Sequence, residues 1–174
     1  LDIVQNSLSA HADQVDIQII EDLLTNQLTM IVTDNGQGMS EEMISQVTDP
    51  FFTTRTTRKV GLGIPFLKMA ANLADGDLSI TSSINQGTTL KAYFQLNHIN
   101  TPPLGDMTET LFILMIHPDL KELKYSHQVG TESFDFSSGT FKAILDGVPL
   151  TEPQVMSYLK SYINDNIKKL RRAL

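Results

Sequence analysis

The chain has 174 residues, no cysteine and a formal net charge of −7. That length suits one ordinary domain, or one with a small appendage, and is enough to bury a core without covalent staples. The missing cysteines exclude disulfides, thiolate zinc sites and cysteine nucleophiles, and the acidic balance argues against a surface that coats nucleic acid. No apolar run reaches the length needed to span a bilayer, no signal peptide is visible, and there is no internal repeat or low-complexity tract. The chain opens at Leu1 inside a helical pattern, so residues upstream of Leu1 are expected to belong to the protein.

Leu1, Val4 and Leu8 stand at helical spacing, which predicts a helix from residue 1 to about residue 12. Asp2 and Asn6 are four apart and share one of its faces. Residues 15–20 and 28–34 read as two strands joined by a hairpin loop at 21–26. Val15, Ile17 and Ile19 alternate with polar partners, so the first strand buries one face. The second strand delivers Asp34-Asn35-Gly36-Gln37-Gly38-Met39 to its C-terminal end. A carboxylate fixed there is an acceptor for an amino group. Glycines two apart let a backbone pass close to a flat ligand or reach positive φ. By itself, Asp-Asn-Gly is equally an ordinary turn signal. Ser40-Glu41-Glu42 starts a helix, with Ser40 as cap and acids in the first turn, and Met43, Ile44 and Val47 give it an apolar side. Asp49-Pro50 ends it, because the residue before proline is pushed away from α geometry.

Phe51-Phe52 is followed by Thr53-Thr54-Arg55-Thr56-Thr57-Arg58-Lys59, with no apolar residue before Val60. Such a run cannot pack into a core and reads as a loop. Hydroxyls and guanidinium forks suit phosphate oxygens; a solvated surface loop is the other reading. Gly61-Leu62-Gly63 leads into a helix rich in apolar residues, from Ile64 through Leu73, with Pro65 in its first turn and Gly76 closing it. Glycines at a helix start let phosphate approach the free N–H groups, although this run is neither a P-loop nor a dinucleotide fingerprint. Residues 78–84 and 88–96 read as an antiparallel hairpin across Asn85-Gln86-Gly87, the second strand opening on Thr88-Thr89.

Asn100-Thr101-Pro102-Pro103-Leu104-Gly105 reads as a boundary, since tandem proline resists both helix and central strand. The expected organisation is a domain at 1–98, a linker at 99–106 and a small α+β appendage at 107–174. In the appendage, residues 110–116 read as a strand and 124–136 as a strand or strand pair around Gly130. Residues 141–145 read as a short helix and 152–170 as a longer one, with a start signal at Thr151 and Pro153 and a basic end suited to a helix C-terminus. His117 and His127 stand in strand-like surroundings and read as surface or core histidines.

Four blocks in register (Asn6, the Asp34–Met39 run, Gly61-Leu62-Gly63 and Gly87-Thr88-Thr89) make residues 1–96 resemble the ATP-binding domain shared by DNA gyrase, heat-shock chaperone ATPases, mismatch-repair ATPases and bacterial histidine kinases. Phe51-Phe52 followed by Thr-Thr-Arg is most similar to the histidine-kinase members. The resemblance implies the Bergerat fold, an α+β two-layer sandwich with a mixed, mostly antiparallel sheet covered on one face by helices. It implies ATP and Mg²⁺ as cofactors. Asn6 would hold the metal, and Asp2, where hydrolytic members usually carry Glu, would activate water. Asp34 would accept from the adenine amino group, with Gly36, Gly38 and Met39 beside the base and Thr89 reaching adenine or its bound water. Phe52, Thr53, Thr54, Arg55 and Arg58 would close over the phosphates, and Gly61, Leu62 and Gly63 would cradle them. The implied function is transfer of the γ-phosphoryl group to a partner protein or a separate acceptor segment, in the cytoplasm, with a homodimer among the expected states. No nucleic-acid partner is expected. The competing readings are an ATP-hydrolysing conformational switch of the gyrase and mismatch-repair sort, and a non-hydrolysing regulatory module of the anti-sigma-factor sort.

Overall fold

The computed structural model describes residues 1–48 and 62–172. The first segment of the fold, up to the tandem proline at 102–103, holds α1 (Asp2–Ser9), β1 (Gln14–Asp22), β2 (Gln27–Asp34), α2 (Glu41–Val47), α3 (Gly63–Leu73), β3 (Asp77–Ser82) and β4 (Thr88–Gln95). The second holds α4 (Met107–Met115), β5 (Glu122–Val129), β6 (Glu132–Ser137), α5 (Ser138–Ile144) and α6 (Pro153–Arg172). The six strands among the described residues join one sheet in the order β3-β4-β2-β1-β5-β6. Every pairing is antiparallel except β1 with β5, which run parallel from Gln14↔Glu122 to Glu21↔Val129.

Residues in register share a face of a sheet. Val15, Ile17 and Ile19 therefore lie beside Leu123, Tyr125 and His127 on one side and Asp34, Val32 and Met30 on the other. This face carries the core, and α1, α3, α4 and α6 pack on it. The opposite face is polar, with Lys91, Lys124 and Gln128 exposed along it. The arrangement is a two-layer sandwich with a mixed, mostly antiparallel sheet.

Residues 96–106 contain neither helix nor strand, yet the apolar core runs without a break across them, from Val4 to Leu170. β5 covers the flank of β1 that the first segment leaves unpaired. α6 lays Leu159, Ile163, Ile167 and Leu170 on this part of the core, at the spacing of one helix face. At the seam, His127 is fully buried; its Nε2 lies 2.8 Å from Glu21 Oε1 and its Nδ1 3.0 Å from the Tyr125 hydroxyl. Both ring nitrogens have partners, so a polar ring sits in the core without an orphaned atom.

One expectation is corrected by the fold. Residues 110–115 are helical, inside α4, with Ile116 as its C-terminal cap, and not a strand. The Asp106 carboxylate caps this helix by accepting from Glu109 N at 2.9 Å. Leu111, Phe112, Leu114 and Met115 then fall on one buried helical side. A short, wholly apolar run carries no period that separates helix from strand, and here the cap decided. His117 consequently follows a helix end, while His127 is the core histidine of a strand. The end of α3 is closed by Gly76, as expected. Its left-handed residue is Asp75 (φ 53), and Gly76 N donates to Ala71 O at 2.8 Å, closing a Schellman-type end. Gly76 is a glycine because a side chain there would strike the Tyr93 carbonyl.

Candidate functional site

A cleft of about 560 Å³ opens between α1, the C-terminal end of β2, α2 and the start of β4. Its apolar walls come from Ile3, Val32, Met39, Met43, Val47, Ile64 and Leu90; its polar groups are Asn6, Ser7, Asp34, Gln37 and Thr88. None of α2's residues is fully buried. The apolar side expected for this helix instead faces the cleft through Met43 and Val47. Ser40 caps α2 as expected, accepting from Met43 N at 3.3 Å. An apolar slot with a few fixed polar groups is the usual form of a site for a flat ligand.

Asp34 closes β2 and is 9% exposed. Its Oδ1 accepts from Gly36 N at 2.9 Å and Thr88 N at 3.2 Å, and its Oδ2 accepts from the Ser7 hydroxyl at 2.6 Å. The carboxylate is thus held in one orientation by three donors from three separate elements. The neighbouring Asn35 turns away from the cleft. Its Oδ1 accepts from Asp13 N and Gln14 N, both at 3.0 Å, and its Nδ2 donates to Asp13 Oδ1 at 2.8 Å. Asp13 also meets Lys121 Nζ at 2.6 Å. Hydrogen bonds from Lys121 and then Asn35 hold the Asp13 carboxyl below its ordinary range, and Asp13 raises Lys121 in return. The two halves of the Asp-Asn pair therefore divide the work: one faces the cleft and the other ties the loop to the start of β1 and β5.

Gly38 has φ +66, and a Cβ there would overlap the Ser83 carbonyl. At Gly36 a Cβ would come within 2.8 Å of Ala10 O. Both glycines are accounted for by the chain's own close approach, where the sequence suggested a ligand's. Met39 lines the cleft, and its N donates to Ser82 Oγ at 2.8 Å. The Ser82 hydroxyl also reaches Gly87 O at 2.7 Å and Thr88 Oγ1 at 3.0 Å, fastening the glycine loop to the start of β4.

Asn6 stands on the cleft wall, and its Nδ2 is buried without a hydrogen-bond partner among the described residues. An unpartnered amide on a residue that lines a cleft suits a ligand oxygen, because leaving it unpaired is costly. Asp2, one turn earlier, is exposed and packs its Cβ against Gly63, where an added Cβ would sit 2.9 Å away. That contact is what brings α1 and α3 together and requires glycine at 63. Leu62 is 47% exposed at the head of α3. Phe52, Thr53, Thr54, Arg55, Arg58 and Gly61 lie outside the described residues.

Thr89 is not brought to the cleft. It pairs with Thr33 in the β2–β4 ladder, and the two hydroxyls meet at 3.1 Å on the sheet's other face. Strand alternation puts Thr88 on the cleft side, so Thr88 takes the place expected of Thr89. Sequence reasoning also missed Ser7. Its signal was available: a hydroxyl on the buried side of α1, beside Val4 and Leu8.

The chain thus combines an apolar slot, a fully anchored carboxylate at a strand end and an asparagine amide on the same cleft, in a two-layer α+β sandwich. The chain belongs to the histidine kinase-, DNA gyrase B-, and HSP90-like ATPase family, whose model matches residues 1–98. It has the Bergerat fold, and its first segment is a histidine-kinase-like ATP-binding domain. It is 28% identical over 97 residues to the sensor histidine kinase YvrG of Bacillus subtilis, covering 53% of this chain and 17% of that one. It is 24% identical over 114 residues to the sensor protein kinase GraS of Staphylococcus aureus, covering 63% of this chain and 33% of that one. The chain therefore spans a third or less of the length of these curated relatives. A solved catalytic domain of histidine kinase ThkA aligns with TM-score 0.41 and 24% identity, covering 54% of this chain and 61% of that chain. No described helix is long and apolar enough to cross a membrane.

Proposed function

We propose that this protein binds Mg-ATP in the cleft and presents the γ-phosphoryl group to an acceptor on a partner protein or a separate segment. The observation that carries the reading is the pair formed by Asp34 and Asn6. Asp34 is an acceptor pinned on the cleft wall among apolar side chains, which suits the amino group of adenine. Asn6 offers an unpartnered buried amide, which suits the polar end of the nucleotide; its carbonyl oxygen is the ligand proposed for Mg²⁺. Metal-bound ATP supplies the transferable phosphoryl group. Phosphoryl transfer asks the protein mainly for positioning and charge neutralisation. Ile3, Val32, Met39, Ile64 and Leu90 hold the base and exclude water from it, Asp34 fixes its rotation, and Asn6 fixes the polar end. A cytoplasmic setting, where ATP is available, goes with this reading.

A hydrolytic reading finds its support in Asp2, whose carboxylate lies one turn before Asn6 and beside the head of α3. Following the γ-labelled phosphate of ATP with the full chain and Mg²⁺ separates the two. The transfer reading expects ATP binding with little free phosphate until an acceptor protein is added. Steady release above an Asp34→Asn blank would move the ATPase reading ahead. Asp34→Asn should remove most ATP affinity in calorimetry, since an amide can turn its own donor toward the adenine amino group; unchanged affinity would sink the adenine assignment.

A further inference from the structure

We infer that Ser7 is the positioning residue that sets base selectivity in this cleft, an inference that rests on the ATP reading above. Ser7 is 5% exposed and lies on the core-facing side of α1 between Val4 and Leu8. A buried hydroxyl is costly unless bonded. Helical serines commonly satisfy themselves on the preceding turn, as Ser9 does by donating to Gln5 O at 2.8 Å. Ser7 instead reaches across 27 residues of sequence to Asp34 Oδ2 at 2.6 Å, within the short range of hydroxyl–carboxylate bonds.

The consequence follows from counting acceptor positions on Asp34. Oδ1 takes two backbone N–H groups, from Gly36 and Thr88, and so has no lone pair left for a ligand. Oδ2 takes one bond, from Ser7, and keeps one lone pair. Two backbone donors alone fix one oxygen and leave the carboxylate free to pivot about it; the Ser7 hydroxyl fixes the second. The remaining acceptor is then presented in one direction, beside Ser7, on the wall that both residues share. An exocyclic amino group meets it favourably. A carbonyl oxygen at the same ring position meets a carboxylate that cannot turn aside.

The test measures binding of ATP and of inosine triphosphate, which carries a carbonyl in place of the amino group, to the full chain by calorimetry. Ser7→Ala is expected to weaken ATP about ten-fold, the usual cost of losing a hydrogen bond to a charged group, and to reduce the preference for ATP over inosine triphosphate. Ser7→Thr, which keeps the hydroxyl, is expected to restore both. An unchanged preference in Ser7→Ala overturns the inference, whether ATP affinity is retained or both nucleotides are lost in parallel; in the second case Ser7 is only a packing residue. Wild-type protein that binds neither nucleotide overturns the ATP reading itself, and the inference with it.

Discussion

Nε2 of His127 lies 2.8 Å from Glu21 Oε1, so the segments before and after the proline pair are joined by a buried polar contact as well as by a strand ladder. Glu21 is on β1 and His127 on β5, and the ring is fully buried. Removing the carboxylate leaves an imidazole N–H without this acceptor, in a place water cannot readily reach. Glu21→Ala is therefore expected to destabilise the protein by roughly 1–3 kcal/mol, whereas Glu21→Gln, which can still accept, should cost less. Urea unfolding of the two variants checks the order; equal losses would mean the contact with His127 carries little.

The shared core predicts how the chain unfolds. Leu159 of α6 is fully buried, and its truncation to alanine should cost about 2–5 kcal/mol. If the core is one cooperative unit, the Leu159→Ala loss appears as a shift of a single transition, followed equally by a probe in residues 1–98 and one in 107–174. Two separated transitions, with only the later segment shifted, would instead speak for independent units.

The position of the two threonines makes a third test. Thr88 lines the cleft, and Thr89 meets Thr33 on the other face. Thr88→Val is expected to lower ATP affinity several-fold, in line with one lost hydrogen bond, while Thr89→Val leaves it unchanged. The reverse pattern would return Thr89 to the site.

The Asp13–Lys121 contact gives a pH dependence with a definite sign. Asp13 has its folded pKa below the ordinary 3.8, chiefly through Lys121. A depressed carboxyl contributes stability above its unfolded pKa and loses it as pH falls through the folded value. Lys121 is raised above the ordinary 10.5, so its share is present below that value and is lost as pH rises through the folded pKa. Asp13→Asn should accordingly be less stable than wild type at neutral pH by a small margin, as exposed pairs are, and the margin should close in strong acid. A margin that widens on acidification contradicts the assignment.

Much of this protein was legible in the chain before folding. Helix α1, the β1–β2 and β3–β4 hairpins and the cap at Ser40 all follow from local rules: apolar period, turn residues and capping chemistry. The family resemblance put Asn6 and Asp34 at one site, and both line the cleft. What those rules could not reach was anything decided between distant residues. The apolar run at 110–116 satisfies strand and helix alike, and the Asp106 cap with the buried face of α4 chose helix. Thr88 and Thr89 are indistinguishable until register with β2 assigns one to each face. Ser7 shows in the sequence as a hydroxyl on the buried side of α1, but its partner, a carboxylate 27 residues away, does not. The second segment, too, offers no local sign that β5 would lie parallel to β1. Local sequence sets which conformations a segment favours. The pairing of strands, and which polar groups meet across them, is a property of the assembled core, where burial makes every unpaired donor and acceptor expensive.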